Sequence, residues 1–306
     1  MNSLVAIIIV NYNGLDDTVE CLNSLRLSTY QNIKIIVVDN ASRKNPLPLL
    51  VHDFPEVCCI RSEINLGFTG GNNLGLAKVD EFDPKYIFYL NNDTVVTPDT
   101  LAKLVNFMEQ HPDVGIAGPL VYCYDEPKII SFCGADIDRN TAKISFKFRN
   151  VTLDESILSD DAFYCSFIEG SSLMIRTELV KMIGGFNDDY FLTSEESELC
   201  IRVADMGCKL AVVTTCSILH KVSKSMGAGS ELINYFVYRN KLYLIRNVAV
   251  KFGMKEFINV SSNYLRSLIS LLIRERNIPA AKGLISGVID FLLGVTGPGR
   301  FQTKLQ

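Results

Sequence analysis

The stretch that most constrains this chain is Tyr86-Ile87-Phe88-Tyr89-Leu90-Asn91-Asn92-Asp93-Thr94. An apolar, aromatic run of strand type stops abruptly at three polar residues. In a parallel α/β sheet, ligands bind where strands end at their carboxyl edge. Asp93 sits at such an edge. A carboxylate flanked by amides suits a hard cation with oxygen ligands, and such a cation can hold a diphosphate. Taken alone, Asn-Asn-Asp serves equally as a turn closing a buried strand.

The pattern repeats. Leu4–Val10 is a continuous apolar run rich in β-branched residues, as expected of a central parallel strand. It ends in Asn11-Tyr12-Asn13-Gly14. A helix follows, with Val19, Leu22 and Leu25 at helical spacing and Asp16 or Asp17 placed to cap it. Ile33–Val38 is a second strand, ending in Asp39-Asn40-Ala41-Ser42. An acid ending the second strand of a β-α-β unit can hydrogen-bond a nucleoside; it can also be a turn residue.

Asn65-Leu66-Gly67-Phe68-Thr69-Gly70-Gly71-Asn72-Asn73-Leu74-Gly75 carries four glycines in nine residues. Glycine permits close backbone approach and positive φ. The spacing is neither G-x-G-x-x-G nor a Walker loop, so a dinucleotide or ATP site has no motif support. A turn before a helix starting near Asn72 is the plainer reading. Val114–Ala117 and Leu210–Val213 read as further strands, and Ile218-Leu219-His220 as a strand-like run. Residues 123–165 are weakly periodic, an irregular insertion containing an edge strand at 144–148. Three glutamates, Glu195, Glu196 and Glu198, open a helix. They favour its macrodipole, or one of them is a general base.

At 306 residues the chain can bury a substantial core. Nine cysteines with no Cys-x-x-Cys pair point to a reduced, cytoplasmic protein without a disulfide framework. The N-terminus enters a core strand directly, so no signal peptide is expected. No apolar stretch reaches the roughly 18 residues that a spanning helix needs. From Lys241 to Gln306 ten Lys/Arg face three acids, a balance of +7 that leaves −11 for the first 240 residues. An acidic body argues against nucleic-acid binding. The basic tail, with Phe257, Tyr264, Leu265, Leu268, Ile269 and Leu272 at helical spacing, suits an anionic membrane surface. A helical cover on the core or a homo-oligomer contact is the alternative.

Taken together, these blocks resemble glycosyltransferase family 2, in particular its bacterial rhamnosyltransferase-like branch. The blocks are Val10–Gly14, Val37–Ser42, Asn65–Asn73, Leu90–Thr94, Gly184-Gly185-Phe186, Glu195–Arg202, His220 and Tyr238-Arg239-Asn240-Lys241, in the family's order over residues 4–246. The resemblance implies a GT-A fold, a Rossmann-like mixed sheet flanked by helices, over residues 1–246. The nucleotide-sugar half would span about 1–120 and the acceptor half about 121–246. Residues 247–306 would be a C-terminal helical appendage.

It further implies an inverting transfer from a nucleotide-diphosphate sugar, dTDP-rhamnose or a UDP-sugar, to a lipid-linked glycan at the inner face of the plasma membrane. Asn11, Asp39, Asn65, Gly67 and Asn72 would surround the nucleotide. Asn91 and Asp93 would face the diphosphate. Asp93 and His220 would hold a divalent metal, Mn²⁺ or Mg²⁺. Glu195-Glu196 falls on the family's Glu-Asp pair, with Glu196 as base. Two positions depart from the pattern: Asn91 replaces the first Asp of D-x-D, and Glu196 stands where Asp is usual. These departures keep open an impaired nucleotide-sugar-binding protein. A nucleotidyltransferase would need a Gly-rich loop with a basic catalytic residue near the first strand, and Asn11–Gly14 lacks it.

Overall fold

A computed structural model describes residues 3–152, 161–221 and 229–304. The first half runs β1 (Val5–Asn11), α1 (Leu15–Arg26), β2 (Ile33–Asn40), α2 (Leu47–Asp53), β3 (Cys58–Ser62), α3 (Gly67–Val79) and β4 (Tyr86–Asn91). Then come β5 (Thr94–Val96), α4 (Thr100–Gln110), β6 (Val114–Cys123), β7 (Ile129–Phe132), β8 (Ala135–Asp138), β9 (Lys143–Phe146), β10 (Val151–Thr152) and β11 (Ala162–Cys165). β12 (Ser172–Arg176), α5 (Thr177–Ile183), α6 (Glu195–Asp205) and β13 (Lys209–His220) complete the sheet. The chain ends in α7 (Glu231–Val248), α8 (Met254–Ile269), a π-helical turn at Ser270–Arg274, α9 (Ile278–Leu292) and a 3₁₀ turn at Gly299–Lys304.

The main sheet is mixed. β3, β2, β1 and β4 lie side by side and parallel. β12 pairs antiparallel with β4 and with β6, and β13 runs parallel to β6. Val5 to Ile9, Ile36 to Val38 and Tyr86 to Tyr89 are essentially inaccessible to water. That burial explains why these strands read as unbroken apolar runs: helices cover both sheet faces.

β1 lies between β2 and β4. The chain leaves β1 in one direction, through β2 and β3, and returns across it to β4. A crevice therefore opens at the carboxyl ends of β1 and β4, where the crossover direction reverses. Asn11 is in register with Asp39, and Val10 with Asn91. All three polar strand ends consequently share one edge.

Several details differ from the sequence reading. Asp16 and Asp17 do not cap α1: the helix starts at Leu15 with Gly14 at its N-cap, and both acids lie in its first turn. The glycine-rich segment is not a loop: α3 begins at Gly67, and its glycines meet the sheet. A Cβ on Gly75 would lie 2.5 Å from Ile8 Cγ2, so α3 sits on β1 more closely than any side chain would allow. Leu210–Val213 and Ile218–His220 are one strand, β13, irregular between Val213 and Ser217. Residues 123–165 supply short strands that extend the sheet through β7 and β10 and form a separate β8–β9 hairpin.

Candidate active site

The carboxyl ends of β1 and β2 form a closed polar network. Asp39 is fully buried at the end of β2. Asn11 Nδ2 donates to Asp39 Oδ1 (2.8 Å) and to Ser42 Oγ (3.1 Å). Arg61, in register with Asp39 on β3, bonds Asp39 Oδ2 through Nη1 and the Ser42 carbonyl through Nη2. Asn11 Oδ1 accepts from the Gly14 amide and from Thr18 Oγ1, each at 3.1 Å, which fixes the loop between β1 and α1.

Asn40 ties in the next loop. Its Nδ2 donates to Asn65 Oδ1 (3.1 Å) and to the Gly67 carbonyl (2.9 Å). The Gly67 amide donates to Asn65 Oδ1 (2.9 Å). Gly67 has φ +72°, and a Cβ there would lie 2.3 Å from the Phe191 carbonyl oxygen, so only glycine fits. Asn72 is buried, and its amide turns back to the Phe68 carbonyl (2.9 Å) inside α3. A cavity of about 490 Å³ opens beside this network, lined by Asn11, Asn13, Gly14, Ser42, Arg43 and Lys44 among others.

Asp93 and His220 are brought together by strand pairing. β5 pairs with the end of β13, placing His220 opposite Thr94. His220 Nε2 lies 3.2 Å from Asp93 Oδ1, with both side chains mostly buried. Burial opposes protonation of His220, but the hydrogen bond and charge of Asp93, helped by Glu169, outweigh it and raise its pKa. Asn92 is structural: its Nδ2 donates to the Gly14 carbonyl and to Thr18 Oγ1, each at 3.1 Å. Among the described residues no three His, Cys, Asp or Glu side chains converge as a metal cage. One carboxylate and one imidazole nevertheless suit a Mn²⁺-type ion that takes its remaining ligands from phosphates and water.

The carboxylates on the far side are held differently. Antiparallel pairing of β12 with β4 sets Glu169-Gly170-Ser171 beside Asn91, whose amide donates to the Ser171 carbonyl (2.9 Å). Glu169 accepts from Ser171 Oγ (2.5 Å). Burial raises the Glu169 pKa; His220, Ser171 and Arg149 oppose this and Asp93 adds to it. Glu196, in the first turn of α6, packs against the same turn: a Cβ on Gly170 would lie 3.6 Å from Glu196 Cβ. Burial pushes the Glu196 carboxyl up to about 7, and the charge of Glu169 contributes. Glu195 is more deeply buried, and burial followed by the charge of Glu196 raises its pKa well above the ordinary range. Oε2 of both Glu195 and Glu196 is buried without a hydrogen-bond partner. Glu198 is the structural member of the trio, 2.8 Å from Arg202 Nε.

The backbone before α6 is unusual. Phe191, Thr193 and Ser194 have φ of +65°, +69° and +70°. Such geometry in bulky or β-branched residues persists only where the surroundings impose it. Here α7 imposes it. Asn240 Nδ2 donates to the carbonyls of Tyr190 (2.7 Å), Leu192 (2.7 Å) and Thr193 (3.0 Å). Arg239, fully buried, binds the carbonyls of Tyr190 and Gly297 through Nη2 and Asn240 Oδ1 through Nε.

These contacts single out residues that the sequence reading did not place in the site. Arg61 becomes visible only through β2–β3 register. Glu169 lies just past the weakly periodic residues 123–165, in a run that resumes the core and carries no motif. Arg239 and Asn240 carry a family block, but their target is a loop some 50 residues away.

A model of glycosyl transferase family 2 matches residues 6–173. The chain belongs to glycosyl transferase family 2. This family 2 glycosyltransferase is 23% identical over 312 residues to a dTDP-rhamnosyl transferase of Shigella flexneri, covering 98% of this chain and 99% of the relative. It is 22% identical over 249 residues to an N-acetylglucosaminyl-diphospho-decaprenol L-rhamnosyltransferase of Mycobacterium tuberculosis, covering 74% and 79%. Among solved structures, the Pyrobaculum calidifontis mannosyltransferase in complex with GDP-Man and Mn²⁺ superposes with a TM-score of 0.55 at 13% identity, over 96% of this chain and 88% of that one. The fold is GT-A, and the enzyme is a glycosyltransferase.

Proposed function

We propose that this enzyme transfers a sugar, with inversion, from a nucleotide-diphosphate sugar to a hydroxyl of a lipid-linked glycan at a membrane surface. The reading rests above all on Glu196, a carboxylate with an unpartnered oxygen and a pKa raised to about 7. A base poised near neutral pH is suited to taking a hydroxyl proton. Glu196 Oε takes that proton as the acceptor oxygen bonds the anomeric carbon. The bond from that carbon to the phosphate oxygen breaks, and the nucleoside diphosphate leaves with the electron pair. Glu195, more deeply buried and with its own pKa raised, stands beside Glu196 as the second member of the pair.

Asn11, Asp39, Asn65, Gly67 and Asn72 shape the nucleoside side, with Arg61 and Asn40 fixing them. Asn91 and Asp93 face the diphosphate. Asp93 and His220 would hold the divalent ion, Mn²⁺ or Mg²⁺. Such an ion neutralises charge developing on the diphosphate leaving group. The names of the Shigella and Mycobacterium relatives make dTDP-rhamnose the first donor to test and a diphospho-polyprenol-linked sugar the first acceptor.

The test is nucleotide release across UDP-, dTDP- and GDP-sugars with Mn²⁺ or Mg²⁺, with and without a lipid extract of the source cells. Release from one donor, dependent on metal and increased by the extract, is expected. Equal release without extract would remove the lipid-linked acceptor. No release from any donor under any condition would remove the proposed reaction.

A further inference from the structure

The exposed apolar surface of this protein is concentrated in one place. Of the 25 large hydrophobic side chains exposed among the described residues, 14 lie between Val250 and Leu293. α8 is the extreme case: of its sixteen residues only Val260 is buried. Phe257, Ile258, Leu265 and Ile269 stand in solvent. α8 is anchored by Val260 and by Tyr264, whose hydroxyl donates to the Tyr238 carbonyl (2.7 Å); the apolar stripe on its other side is open to solvent, and such patches mark interaction sites.

α9 contributes its outer side for a clear reason. Its small residues face α7: a Cβ on Gly283 would lie 2.2 Å from the Glu231 carbonyl oxygen, and one on Gly287 would lie 2.6 Å from that of Tyr235. That close crossing turns Ile278, Ile285, Ile289 and Leu292 outward, all exposed. Between α7, α8 and α9 an apolar crevice of about 630 Å³ is lined by Ile245, Phe252, Phe257, Tyr264 and Phe291, with Arg246 on its wall.

The charges around this surface are predominantly positive. Lys251, Lys255, Arg266, Arg274, Arg276 and Lys282 are all exposed, and none is in a salt bridge among the described residues. The three acids of the region are occupied. Glu256 accepts from the Gly253 amide (3.0 Å), Glu275 from Ser270 Oγ (3.0 Å), and buried Asp290 from Tyr235 and Arg300. Among the described residues no helix is long and apolar enough to cross a membrane.

We propose that the outer faces of α8 and α9 form a docking surface for an anionic lipid bilayer, with the crevice beside Arg246 receiving a lipid chain. Apolar side chains enter the headgroup boundary and the six cations meet lipid phosphates. A second copy of the chain fits less well, because a two-fold contact would set the same cations against themselves. The surface also has a route to the active site. α9 packs on α7, and α7 holds the Tyr190–Thr193 loop before Glu196 through Asn240. Docking would thus set the acceptor side of the cleft one helix away from the membrane. The inference deepens the lipid-linked acceptor reading and rests on it for its purpose.

The experiment is co-sedimentation of the full chain with phosphatidylglycerol vesicles and with phosphatidylcholine vesicles, at low and high salt. Binding to phosphatidylglycerol roughly tenfold tighter than to phosphatidylcholine, and weakened by salt, is expected. The double variant Phe257→Glu, Leu265→Glu changes exposed positions; it should lose this binding while nucleotide release to a water-soluble acceptor analogue and the melting temperature stay unchanged. Equal binding to both vesicle types overturns the proposal. So does failure to bind phosphatidylglycerol vesicles at low salt; a dimer by light scattering that the double variant makes monomeric would then assign the surface to a second copy of the chain. Vesicle binding without stimulation by lipid extract would leave the docking surface standing and remove the lipid-linked acceptor. Transfer to a lipid acceptor without vesicle binding would do the reverse.

Discussion

The two walls of the cleft contrast in how their polar groups are treated. On the wall proposed for the donor, Asn11, Asp39, Ser42 and Arg61 satisfy one another, and Asn40 is bonded to Asn65 and Gly67. On the wall proposed for the acceptor, Glu195 and Glu196 keep buried oxygens without partners, follow a run of left-handed residues, and have raised pKa values. A finished network gives a fixed shape for a rigid ligand such as a nucleoside. An unfinished one holds a group ready to take a proton, at a cost in stability that the rest of the fold must offset.

Four measurements would break or sharpen that contrast. The largest effect is expected from Glu196→Gln. Turnover should fall by roughly 10²–10⁴-fold, the range for losing a general base, while calorimetry shows donor binding unchanged. Wild-type turnover in this variant would move the base elsewhere, with Glu169 the next residue to change.

Arg61→Ala should come second. It leaves Asp39 buried at 0% exposure without its cation. A loss of about 3 kcal/mol in urea unfolding is expected for a broken buried pair, together with a raised KM for donor and little change in kcat. Equal loss of kcat would mean that the donor wall is not simply a fixed shape.

Asn240→Ala removes the amide that holds three carbonyls of the acceptor loop. The expected cost is about 2 kcal/mol in unfolding free energy. kcat should drop while donor KM stays near wild type, because the loop leads to Glu196 and not to the nucleoside side. A rise in donor KM alone would detach this loop from the acceptor wall.

The smallest effect is the pH dependence. Burial raises Glu196 from the ordinary 4.5 to about 7, so the folded state binds its proton more tightly than the unfolded chain does. The associated stability is fully present below 4.5 and is lost as pH rises through about 7. Glu196→Gln should therefore melt a few degrees above wild type at pH 8, and the gap should close towards pH 4.5. Wild-type turnover should fall as pH drops below about 7, because the base becomes protonated. A melting difference that does not change with pH would show that Glu196 is not a frustrated carboxylate.

What could be read in the sequence was local. Apolar runs that stop at Asn11, Asp39 and Asn91-Asn92-Asp93 announce buried strands with polar carboxyl ends, because a fully covered strand cannot alternate. The family blocks then brought in the donor, metal and base assignments, including Glu196 and His220. The tail helices were legible from spacing and charge. Long-range pairing decided the rest. Register across β2 and β3 brought Arg61 to Asp39, and antiparallel pairing of β12 with β4 brought Glu169 beside Asn91. The glycines of α3 read as a loop because glycine frequency signals both flexible turns and close packing; only the distance to Ile8 separates the two. Likewise, Gly283 and Gly287 gain meaning only against α7, and Asn240 only against the loop it holds. A chain's own spacing encodes which face of an element is apolar. Which distant backbone that face or amide will meet is settled when the elements pack.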